Sequence, residues 1–64
     1  MKRWVEFETA RSGNRQSIDS RFIVGVFEAG GSDTCMIEYG HGWEIEVKGT
    51  LAEVKAKIDA AEKG

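Results

Sequence analysis

The 64-residue chain contains no proline, one cysteine and one histidine. A lone Cys35 cannot build an internal disulfide framework. Cys35 and His41 together fall short of the four ligands that a zinc site within one chain requires. No apolar run approaches the ~18 residues of a membrane-crossing helix. The first residues, Met1-Lys2-Arg3-Trp4-Val5-Glu6, are basic without an apolar stretch, so no secretory signal is expected there. A free thiol without such a signal points to a reducing cytoplasm. Between residues 22 and 47 there is no lysine or arginine, against five acidic residues. With a formal net charge of -2 and an acidic middle, the chain makes a poor generic nucleic-acid binder. It also lacks a nucleophile–base constellation, a metal set and a cofactor motif, so no enzymatic activity and no cofactor are expected.

The length carries a physical consequence. Sixty-four residues allow one small domain, residues 1–64. A chain of this size buries only ~60% of its unfolded surface, so a lone core is marginal. Disulfides and metals are excluded as staples, and assembly with another subunit is the one left.

What is present is a clear alternation of hydrophobicity. Arg3-Trp4-Val5-Glu6-Phe7-Glu8-Thr9 has period two and predicts a strand over residues 3–9. Residues 11–17 are polar and turn-rich and read as a loop. Phe22-Ile23-Val24-Gly25-Val26-Phe27 is apolar in both phases. That predicts an interior strand over about 20–28. Two further strands fall at 34–39 and 43–48, joined by Gly40-His41-Gly42 as a short hairpin turn. Thr50-Leu51-Ala52-Glu53 is a capping box that opens a helix over about 51–63. Leu51, Val54, Ile58 and Ala61 form its apolar stripe. The expected fold is α+β: a four-stranded, mainly antiparallel meander with one C-terminal helix packed on one face.

Strand phase divides the side chains. Val5, Phe7, Cys35, Ile37, Tyr39, Trp43, Ile45 and Val47 are expected under the helix. The second strand turns either Phe22, Val24 and Val26 or Ile23 and Phe27 toward the other face. Trp4, Glu6, Glu8, Met36, Glu38, Glu44 and Glu46 fall on that opposite, acidic face. Apolar groups rimmed by charge mark an interface, so these seven residues are the candidate partner surface. Trp4 is its aromatic anchor. Nothing places one of these carboxylates in an apolar pocket, so the acidic set implies no acid–base catalysis. A second candidate is an anion- or ligand-binding loop made of Arg11, Asn14, Arg15 and Gln16, whose guanidiniums suit a phosphate. It lacks P-loop or dinucleotide spacing.

From Ile18 onward the order of features resembles a known group. Ile18-Asp19 is followed by Phe22-Ile23, Val26 and Glu28, then Ile37, Gly40-His41-Gly42, Val47, Glu53-Val54 and Lys57-Ile58. This resembles the FlbD-type small flagellar-operon proteins and similar short phage-borne proteins. A looser similarity exists to the longer, more basic DNA-binding domains of the LytTR type. The FlbD-type resemblance implies a sheet with a C-terminal helix and a regulatory or interaction role without catalytic residues. The expected function is therefore a small non-enzymatic regulatory module, homo-oligomeric. A phage-type version would be an inhibitor that seats its acidic face on a host protein. The alternatives are a nucleotide-sequestering protein using residues 11–17, and a nucleic-acid-binding regulator using that loop with Lys2 and Arg3.

Overall fold

The structure is a computed structural model that describes residues 4–30 and 33–63. Lys2, Arg3, the centre of the expected turn at 31–32 and the terminal Gly64 lie outside the described residues. The fold is α+β, with five strands in two antiparallel sheets and a C-terminal helix. The first sheet is a hairpin of β1 (Trp4–Glu8) and β2 (Arg15–Asp19). A single 3-10 turn, Ser20–Phe22, leads into β3 (Ile23–Glu28). β3, β4 (Thr34–Tyr39) and β5 (Trp43–Lys48) form the second sheet in that order. Helix α1 spans Leu51–Lys63.

Two expectations are corrected here. The four-strand meander is not formed, because residues 15–19 pair with β1 rather than looping past it. Val5 stands opposite Ile18, and Glu8 opposite Arg15. Ile18 is the one large apolar side chain of β2, so period-two alternation is invisible there. The strand expected at 20–28 begins only at Ile23, and it is an edge strand rather than an interior one. Its apolar run is explained by a bulge between Ile23 and Gly25. An extra residue resets the alternation. Ile23 and Val26 therefore both pack against the core, whereas Val24 and Phe27 remain exposed. Neither strictly alternating assignment of this strand holds.

The hairpin tip joins the two sheets. Thr9 bridges to Val47, and the Ala10 amide donates to the Glu46 carbonyl at 2.9 Å. Hairpin and helix then cover the same face of the three-stranded sheet. The core holds Val5, Phe7 and Ile18 from the hairpin, Cys35, Ile37 and Val47 from the sheet, and Val54 from the helix. Leu51, Ile58 and Ala61 flank Val54, so the helical stripe falls where its period predicts.

The helix start is fixed by reciprocal bonds. The Thr50 amide donates to Glu53 Oε1 at 2.9 Å, and the Glu53 amide donates to Thr50 Oγ1 at 3.2 Å. Two otherwise orphaned amides are satisfied in this way. Lys57 reaches from the helix to β1. Its Nζ donates to the Glu6 carbonyl at 3.4 Å and stands 5.7 Å from the centre of the Phe7 ring. No described helix is long and apolar enough to cross a membrane.

Candidate functional site: an aromatic end beside an acidic sheet face

The seven residues expected on one surface are placed in three locations. Glu6 and Glu8 lie on the outer side of β1, each with a cation. Arg15 Nη1 is 3.9 Å from Glu6 Oε1, and Lys48 Nζ is 3.3 Å from Glu8 Oε1. Both pairs are exposed, where such contacts contribute at most about 1 kcal/mol. Met36, Glu38, Glu44 and Glu46 lie together on the outer face of the three-stranded sheet. Trp4 lies elsewhere, at one end of the molecule. The single acidic-aromatic face is therefore split, because β1 belongs to a separate hairpin rather than to the same sheet.

The outer sheet face carries the unbalanced charge. Glu38 stands directly opposite Glu44, and Met36 opposite Glu46 and Phe27. The Glu38 carboxylate lies over Gly25, close to where a side chain would begin. Among the described residues, Glu38, Glu44 and Glu46 form no ion pair. Like charges directly opposed across an antiparallel pair repel. The hairpin tip borders this face. Arg11, Thr9 and Ser12 line a shallow cleft of about 380 Å³ with Met36, Glu44 and Glu46.

The expected ligand loop takes a different form. Arg15 and Gln16 belong to β2, and residues 9–14 connect the strands. The tip closes on itself: the Thr9 amide donates to the Asn14 carbonyl at 2.8 Å, and the Gly13 amide to the Thr9 carbonyl at 3.0 Å. Gly13 has φ +73°, a left-handed conformation that suits glycine. Thr9 Oγ1 and Ser12 Oγ share a 2.7 Å bond, and Ser12 Oγ accepts from the Asn14 amide. Those amides are turned inward rather than offered to a phosphate. Arg15 pairs with Glu6, whereas Arg11 lines the cleft bordered by Glu44 and Glu46, so the two guanidiniums do not form one site.

The exposed aromatic residues were only partly legible. Trp43, expected in the core from its phase with Ile45 and Val47, is 67% exposed. It sits at the first position of β5, opposite Tyr39. Its indole lies across the turn, where Cδ1 would be 3.5 Å from a β-carbon on Gly40. Trp4 and Phe22 reach the same turn from the other side. With Ile18, Tyr39 and Gly40 they line a cleft of about 220 Å³. The Gly40 amide donates to the Phe22 carbonyl at 2.9 Å, which fixes the approach. Trp4 and Phe22, distant in sequence, thus share one cleft with Gly40, and Trp43 stands against Gly40 outside that cleft. Glu38 and Glu44 are one residue in from the Tyr39–Trp43 pair that ends the sheet.

Cys35 and His41 do not form a pair. Cys35 is fully buried, and its Sγ donates to the Gly49 carbonyl at 3.4 Å. Burial, with Glu28 and Glu53 nearby, pushes the thiol above its ordinary range. His41 is exposed in the β4–β5 turn. Among the described residues, no three His, Cys, Asp or Glu side chains are placed to hold a metal ion. Asp19 is nearly buried and grips Arg21, with Nη2 to Oδ2 at 2.6 Å, while Oδ1 accepts the Arg21 amide at 3.0 Å. That hydrogen bonding raises the Arg21 guanidinium further above its already high range.

No protein-family model, curated protein or solved structure matches the chain.

Proposed function

We propose that the chain is a small non-enzymatic interaction module that recognises a protein partner with its aromatic end. One observation carries this reading: Trp4 and Phe22, each more than half exposed, share a cleft with Tyr39 and Gly40, and the similarly exposed Trp43 stands against the same Gly40. Tryptophan and tyrosine dominate interface hot spots, because one rigid ring buries a large area. Exposed clusters of this kind mark partner sites more often than they occur by chance. A partner that extends from the aromatic end onto the outer sheet face meets Glu38 and Glu44, one residue in along the strands and turned to that other face. Their mutual repulsion is relieved by a cation, so the complementary surface is basic.

Co-purification from cells that express the chain tests this reading. The tagged protein is expected to retain a partner. Trp43→Ala and Trp4→Ala are expected to release it, each weakening binding by about 2 kcal/mol or more. A substitution on the exposed helix surface, Ala52→Ser, is expected to leave it bound. Retention of the same partner by both tryptophan variants would overturn the assignment.

A further inference from the structure

We infer that the open edge of β3 and the groove beside it are a dimer interface whose occupant is a second copy of this chain. This surface is separate from the aromatic end and does not depend on the reading above. β3 hydrogen-bonds to β4 on one side, and no described strand lies on the other. An open edge is a template for another strand, and proteins usually guard it with lysine or proline. β3 has neither; its protection is limited to the bulge between Ile23 and Gly25 and to Glu28 at its end, and Val24 stays 68% exposed. Between this edge and α1 runs a groove of about 330 Å³ whose apolar walls include Ile23, Val26, Leu51 and Ile58. The other sheet edges differ: β1 runs on through Thr9 into a bridge with Val47 of β5. The hairpin tip is bonded to β5 through Ala10 and Glu46, and β2 carries an arginine at its start.

Charge identifies the occupant. The groove is bordered by Lys55 and Asp59, of opposite sign and one helical turn apart on the same wall. A two-fold axis makes an interface self-complementary: if residue i meets j, then j meets i. An axis through the groove sets Lys55 against the partner subunit's Asp59 and Asp59 against the partner subunit's Lys55. It also joins the two three-stranded sheets edge to edge, antiparallel. An unrelated peptide offers no reason for both charges. A second copy supplies both complements at once, and it adds the burial that a chain of this size lacks.

The test measures mass in solution by sedimentation at several concentrations, with circular dichroism to confirm folding. The wild-type chain is expected at twice 7.1 kDa. Lys55→Glu and Asp59→Lys are each expected to raise the dimer Kd about tenfold or more, because every reversal strikes two symmetric contacts. The double variant K55E/D59K is expected to recover dimerisation. Val24→Lys, at an exposed site that leaves the fold intact, is expected to give a monomer. A monomeric wild type, another stoichiometry, or a double variant no better than the singles would overturn the proposal.

Discussion

Glu38 and Glu44 face each other directly across β4 and β5, and neither has a cation partner among the described residues. In an antiparallel pair that position brings side chains into contact, and like charges there are destabilising. The isolated protein holds this cost on the outer face of the sheet, one residue in along the strands from the Tyr39–Trp43 pair.

Neutralising either member is therefore expected to stabilise the free protein. Glu38→Gln and Glu44→Gln should each raise stability by about 0.2–1 kcal/mol. The gain should shrink in high salt, which screens exposed charges. Urea melts at two ionic strengths check both the sign and the salt dependence.

The exposure of Trp43 separates its role from that of Phe7. Phe7 is 1% exposed, and Phe7→Ala is expected to cost about 3–5 kcal/mol, enough to unfold most of a chain this small. Trp43→Ala is expected to cost less than about 1 kcal/mol, since most of the indole is already in water. Thermal melts of the two variants distinguish an interface tryptophan from a core one.

Much of the fold can be read from residues alone. The Thr50–Glu53 box, the helical stripe through Val54 and the alternation of β1 and β4 each act locally, and each appears in the structure. What could not be read depends on tertiary context. Arg15-Gln16-Ser17 becomes a strand because β1 supplies its partner, not because of its own pattern. The bulge at Val24 cancels the phase of an apolar run, and so disguises an edge strand as an interior one. Trp43 has the phase of the core but stands at the end of β5. Phase assigns a face and says nothing about whether anything covers it. The candidate site was half visible for the same reason. Trp4 and the glutamates were identifiable one by one, but the cleft that Trp4 and Phe22 share with Gly40, and the place of Trp43 beside it, depend on how the chain between them folds.

Ser20 carries a buried hydroxyl, 4% exposed, with no hydrogen-bond partner for its Oγ among the described residues. A buried polar atom without a partner costs free energy that an apolar atom does not. Ser20→Ala is expected to raise stability by about 1 kcal/mol. An equilibrium denaturation curve shifted to higher denaturant, with an unchanged slope, confirms it.

Cys35 gives a pH dependence with a definite sign. Burial favours the neutral thiol, so its pKa is raised in the folded protein. Its contribution is complete below the ordinary thiol pKa of about 8.5. Above that pH the unfolded thiol ionises first, and stability falls until the pH passes the folded value. Wild type is thus expected to lose stability in that alkaline window faster than Cys35→Ala. Native protein is also expected to resist iodoacetamide until it unfolds, because the thiolate is the reactive form and Cys35 is enclosed.

Photo-cross-linking from the aromatic end tests the central claim most directly. Trp43 is replaced by p-benzoylphenylalanine in cells that express the chain, with Ala52, exposed on the far surface of α1, as the control position. A discrete adduct to one protein with a basic surface from position 43, absent from position 52 and lost when Trp4 is also changed to alanine, is the predicted result. Equal adducts from both positions, or none from position 43, would contradict the account.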